Sequence, residues 1–159
     1  MMICRSLFLS LILFSCSESS GPITKRIAAH FEAANRHDLK ALANDYTQDA
    51  TGESPNWGKP MHSADSIVYQ YSRIFLSTPD LHFEITKTQV GSSHAVVEYT
   101  FNGTLANLEK DVPEFMRGKK YSFPACTIFE FKDGKIVREA SYFDQVAFLR
   151  QVGYFEQGN

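Results

Sequence analysis

Arg138, Tyr142 and Asp144 are the residues whose types and spacing could most directly do chemistry in this chain. Side chains of an extended strand alternate between faces, so Arg138, Ala140, Tyr142 and Asp144 share one face and Val137, Glu139, Ser141 and Phe143 the other. A carboxylic acid held in an apolar pocket works as a general acid or base, and a tyrosine hydroxyl beside it could contact the same ligand. If that face points inward, the three polar groups form one constellation; if it points outward, they are solvated or interface residues. Asp144 also stands directly before Val146, Phe148, Leu149 and Val152, a helical spacing closed by Gly153. An aspartate there is explained by N-capping alone, worth about 0.5–2 kcal/mol, and this role is weighed above the catalytic one.

Further candidates lie nearer the middle of the chain. Trp57 and His62 flank a turn-rich loop, where they would either line a pocket or pack the helix that follows. Glu53 precedes Ser54-Pro55, and a one-residue slip of register would turn its side chain to the opposite face. The run Gly52 to Lys59 has the wrong spacing for a phosphate loop, with Pro60 where Ser or Thr should bind magnesium. The five histidines, His30, His37, His62, His82 and His94, show no HExxH or His-x-His spacing. Neither a metal nor another cofactor is therefore expected. Arg117, Lys119 and Lys120 form a short basic cluster without interleaved aromatics, which excludes a nucleic-acid track.

The elements that must position these groups are legible as periodicities. Ile23, Ile27, Phe31 and Ala34 mark an amphipathic helix over Ile23 to Asn35, and Asp38 caps a second short helix carrying Leu39, Leu42, Ala43 and Tyr46. Ser63 caps a third, with Ile67, Tyr71, Ile74 and Phe75 on one side. Alternating strands follow at Leu81 to Gln89, His94 to Asn102 and Lys120 to Lys132; Asp133-Gly134 then supplies the positive φ angles of a two-residue hairpin turn. Helices first and a mostly antiparallel sheet afterwards predict an α+β fold in one domain.

An aromatic strand, Asp133-Gly134-Lys135-Ile136, a strand ending at Asp144 and a short helix closing on Gln151-Val152-Gly153 resemble the C-terminal signature of the SnoaL-like branch of the nuclear transport factor 2-like superfamily. Tyr46-Thr47-Gln48-Asp49-Ala50-Thr51 resembles the family's entry into its first strand, and the resemblance covers nearly everything from Pro22 onwards. It implies a cone, in which a curved, mostly antiparallel sheet wraps around the N-terminal helices and leaves a pocket for a small, largely apolar organic molecule. It also implies that Asp144 matches the acid/base of SnoaL-like polyketide cyclases. Two departures weigh against that chemistry. The cyclases carry Gly-Thr-His where this chain has Gly103-Thr104-Leu105, and a ketosteroid-isomerase-like base would be an aspartate where Ser54 stands. Three readings follow: a ligand-binding domain; a cofactor-free cyclase, isomerase or hydrolase using Asp144; and a non-catalytic interaction or dimerisation domain.

The N-terminus has a different character. Arg5, the apolar run Leu7 to Phe14 and Leu13-Phe14-Ser15-Cys16 resemble a bacterial lipoprotein signal, with residues 1–15 removed and Cys16 lipidated. Residues 16–22 then form a tether and 23–159 the folded domain. With no aspartate after Cys16, the expected location is the cell envelope, facing the periplasm and preferably on the outer membrane, with the membrane contacted through the lipid anchor. Processing leaves 144 residues, enough for one core, and loss of Arg5 takes the net charge from -2 to -3. Cys126 is then the only other thiol, inside an aromatic strand, where a small hydrophobe is the expected role. The aromatics Phe123, Phe129, Phe131 and Phe143 lead to the expectation of a homodimer through the sheet.

Overall fold

Tyr121, Phe123, Ala125, Thr127, Phe129 and Phe131 alternate with polar or smaller residues along the central strand of the sheet, and all six are buried. The structure is a computed structural model that describes residues 21–156. The lipoprotein signal, Cys16 and most of the tether fall outside the described residues.

The chain runs through α1 (Gly21–Asn35), α2 (Leu39–Asp45), β1 (Tyr46–Glu53), α3 (Ala64–Ser77), β2 (His82–Val90), β3 (His94–Thr104), a short 3-10 turn (Glu114–Met116), β4 (Lys120–Lys132), β5 (Lys135–Phe143) and α4 (Gln145–Gln151). The five strands form one open sheet in the order β1-β5-β4-β3-β2, antiparallel except where β1 runs parallel to β5. The fold is thus α+β, and the cone is not a closed barrel. Helix α1 starts two residues before the expected boundary, at Gly21-Pro22, where proline's missing N–H costs no intrahelical bond. Among the described residues, no helix is long and apolar enough to cross a membrane.

Local signals set most boundaries. Asp38 accepts a hydrogen bond from Ala41 N at 2.9 Å at the start of α2, and Ser63 and Ser66 form a reciprocal capping box at the start of α3. Asp133 (φ 50°) and Gly134 (φ 76°) both adopt positive φ, the backbone that a tight hairpin between β4 and β5 requires.

Ile27, Phe31 and Ala34 of α1, Leu42 of α2 and Ile67, Tyr71 and Phe75 of α3 cover the concave face of the sheet, meeting Val97, Tyr99, Phe129 and Ile136. Phe129 is 1 % exposed, and its ring lies edge-on to those of His30 and Phe31. Truncating a side chain so placed costs about 3–5 kcal/mol.

One irregularity governs everything downstream. Glu130 pairs with Arg138 but Phe131 pairs with Ile136, so Val137 is an extra residue in β5. The bulge reverses the parity of the strand. Ile136 points into the core before it, and Glu139, Ser141 and Phe143 point inward after it, whereas Arg138 and Tyr142 lie on the outer face.

Candidate functional site

A cavity of about 140 Å³ lies between α3, the concave face of β3–β5 and α4. Its walls are mainly aromatic, including Trp57, Tyr99, Phe101, Phe123, Phe143 and Phe148. Exposed Asn56 and Gln145 border its mouth, and Glu139, 2 % exposed, lies at its inner end. A dry engineered cavity of about 150 Å³ takes a benzene-sized molecule, which sets the scale of the enclosed part.

Sequence places each wall for an identifiable reason. Period-two alternation brings Phe123 and Ala125 of β4 beside Tyr99 and Phe101 of β3. Gly52 lets the loop after β1 close down: a Cβ there would come within 2.8 Å of both Trp57 Cζ3 and Ile67 Cγ1. The loop is returned by paired backbone hydrogen bonds between Gly52 and Met61 of 3.0 and 2.7 Å. Helix α4 brings Phe148 against Tyr121 and Phe123, with ring centroids 5.2 and 5.7 Å away.

At the inner end, Glu139 accepts hydrogen bonds at both carboxylate oxygens. The Tyr46 hydroxyl donates a short bond to Oε2, the Tyr71 hydroxyl donates to Oε1 at 2.9 Å, and Ser141 Oγ donates to Oε1 at a long 3.5 Å. The network continues from Ser141 to Thr127 at 2.9 Å and from Thr127 to the Tyr99 hydroxyl at 3.0 Å. Burial, reinforced by the Glu139 carboxylate, pushes the Tyr46 and Tyr71 pKa values well above the ordinary tyrosine value; burial pushes Tyr99 up to about 12. These hydroxyls therefore keep their protons and serve as donors at neutral pH.

Behind this cluster, His30 packs its ring edge-on against Tyr46 and Tyr71. Its Nδ1 is 3.0 Å from Asp45, which also accepts from Arg26 at 3.0 Å. His30 Nε2 and Trp57 Nε1 are buried without a hydrogen-bond partner among the described residues. A second hydroxyl pair, Tyr121 to Thr78 at 3.0 Å, lines the same cavity away from Glu139. Among the described residues, no group of three His, Cys, Asp or Glu side chains is placed to hold a metal.

The residues singled out from sequence divide between two faces. Trp57 lines the cavity. Arg138 lies outside it, bridging Glu53 of β1 at 2.5 Å and Glu130 of β4 at 3.0 Å; such part-exposed pairs contribute about 0–1 kcal/mol. Tyr142 is 50 % exposed and borders a shallow outer groove with Glu53 and Lys59. His62 is exposed and is not among the cavity residues. Asp144 is exposed and accepts from Ala147 N at 3.0 Å, capping α4, and its side chain does not line the cavity. Ser54 lines the mouth, and apolar Leu105 lines the wall.

The group that sequence reasoning missed is Glu139. It shared the face of Ser141 and Phe143, but strict alternation from the apolar Ile136 assigns the core to the opposite set. The available signal was a conflict of parity, since apolar Ile136 and Phe143 sit an odd number of residues apart on one strand. One extra residue in β5 lets both face inward.

Comparison with known proteins gives a consistent picture. The profile of the SnoaL-like domain family matches residues 27–139. A candidate polyketide cyclase from Xanthomonas campestris pv. campestris superposes with a TM-score of 0.75 at 22 % identity, covering 82 % of this chain and 96 % of that one. A SnoaL-like polyketide cyclase from Agrobacterium tumefaciens gives a TM-score of 0.68 at 20 % identity, covering 82 % and 98 %. A protein of ketosteroid isomerase-like fold from Catenulispora acidiphila, in complex with trimethylamine, gives 0.68 at 20 % identity, covering 81 % and 92 %. No curated protein matches the chain. At such identities the solved structures speak to the fold.

Proposed function

Because the chain belongs to the SnoaL-like domain family, we propose that it binds a small, largely apolar organic molecule in the cavity between its sheet and helices, held at the bacterial envelope by a lipid on Cys16. The observation carrying the binding reading is the pairing of an aromatic wall with a single buried carboxylate at its inner end, since small-molecule sites are mostly apolar with a few polar groups that orient the ligand. The test is to denature the purified protein and identify released small molecules by mass spectrometry. One organic compound at near-stoichiometric yield is the expected result. A protein that releases none, and binds none from a panel of one- and two-ring compounds, would remove the reading.

A catalytic reading is favoured by the position of Glu139. A cofactor-free cyclase, isomerase or hydrolase needs a proton acceptor inside the cavity, where Glu139 lies and Asp144 does not. In that reading Glu139 takes the proton, and the Tyr46 and Tyr71 hydroxyls hold its carboxylate in place.

The proposed homodimer draws on a different surface from the one expected. Phe123, Phe129, Phe131 and Phe143 all face the cavity or the core. The outer face instead carries a half-buried row in which Val96 pairs with Ile128, beside Cys126 paired with exposed Tyr142. This part-apolar row is the surface proposed for a two-fold contact.

A further inference from the structure

The cavity's charge balance is unusual. Glu139 is almost wholly buried, yet its hydrogen-bond partners among the described residues are the neutral hydroxyls of Tyr46, Tyr71 and Ser141. Both of its oxygens accept from these hydroxyls. Buried carboxylates are normally paired with a cation, because desolvating an isolated charge is costly. Among the described residues, no Lys or Arg forms an ion pair with it and none lines the cavity. His30 forms its ion-pair contact with Asp45 through Nδ1 rather than with Glu139, and its ring packs edge-on against the tyrosines.

The walls favour the same sign of charge. Aromatic faces carry negative potential and attract cations, most strongly where water is excluded. Trp57, Tyr71, Tyr99, Phe123 and Phe143 line the space in front of Glu139. Both the carboxylate and the rings would therefore disfavour an anionic ligand and stabilise a positive one.

From this geometry we infer that the cavity's ligand is a small organic ammonium ion, an amine with an apolar body whose charged nitrogen pairs with Glu139. The inference rests on the binding reading above and names the ligand class of the same site. The ammonium approaches the carboxylate lone pairs left by the tyrosine hydroxyls, and the apolar body lies against the aromatic walls towards the mouth.

Benzylammonium and benzyl alcohol test this directly. They have nearly the same shape and both donate hydrogen bonds, but only the first is charged at pH 7. Binding to the full-length protein is followed by calorimetry and by the fluorescence of Trp57, the only tryptophan of the chain and part of the cavity wall. Benzylammonium should bind at least ~10-fold more tightly. The preference should shrink to within about 3-fold in Glu139→Gln and persist in Tyr71→Phe, which keeps the charge. If Glu139→Gln fails to fold, the wild-type comparison alone decides. Equal binding of the two, or preference for the alcohol, overturns the cation inference and leaves the apolar cavity standing. Absence of binding by either up to ~10 mM, in the weak millimolar range, overturns both.

Discussion

The Tyr71 hydroxyl reaches the Glu139 carboxylate at 2.9 Å across 68 positions of sequence, tying α3 to β5 at the inner end of the cavity. The Tyr46 hydroxyl closes the same acid from the start of β1. One side chain thus joins three elements, and removing it takes this acceptor from two buried hydroxyls. Glu139→Ala is expected to lower unfolding free energy by roughly 2–4 kcal/mol, and Tyr71→Phe by about 1.5–3 kcal/mol. Urea denaturation monitored by circular dichroism measures both. A change below about 0.5 kcal/mol in Glu139→Ala would show that the carboxylate does not anchor these elements.

The two possible roles of Asp144 separate by chemistry. Asparagine caps a helix about as well as aspartate, whereas alanine does not. Asp144→Asn should therefore leave stability and ligand binding nearly unchanged, and Asp144→Ala should cost about 1 kcal/mol through the fraying of α4. Retained folding and binding in the asparagine variant, with loss of all turnover on an identified substrate, would instead assign Asp144 the acid/base role.

Alkaline pH should weaken the fold. The buried Tyr46, Tyr71, Tyr99 and Tyr121 have pKa values raised above the ordinary value of about 10, those of Tyr99 and Tyr121 to about 12. Above pH ~10 the unfolded chain loses these protons while the folded chain retains them, so unfolding free energy falls as pH rises towards 12. Tyr99 alone accounts for about 2–3 kcal/mol of this loss. Urea midpoints between pH 8 and 11.5 should drop, and folded phenolate absorbance at pH 10.5 should stay below that of the unfolded chain. Flat midpoints across this range would contradict the assignment.

The proposed lipidation of Cys16 predicts that metabolic fatty-acid label enters the wild-type protein and is lost in Cys16→Ser. Stable attachment should involve more than one acyl chain, because one chain binds membranes only marginally. Persistent label in the serine variant would exclude Cys16 as the attachment site.

The proposed dimer should appear in sedimentation at tens of micromolar, a rough scale for a modest interface. Ile128→Lys, placed in the middle of the outer row, should give monomers with the cavity face unaltered. A wild-type protein that sediments as a monomer at that concentration would remove the proposal.

Sequence alone determined what depends on neighbours within a few residues. The caps Asp38, Ser63 and Asp144, the Asp133-Gly134 turn and the alternation of β4 follow from short-range hydrogen bonding and steric preference, which are written locally. The α+β order and the family resemblance rest on the same signals. Tertiary structure decided which face of β5 meets the helices. That choice turns on Val137, the extra residue opposite the Glu130/Phe131 step, and a bulge is defined only against the strand it pairs with. It moved Arg138 and Tyr142 outward and brought Glu139 to Tyr46 and Tyr71, partners 93 and 68 positions away, which no local pattern in the chain encodes.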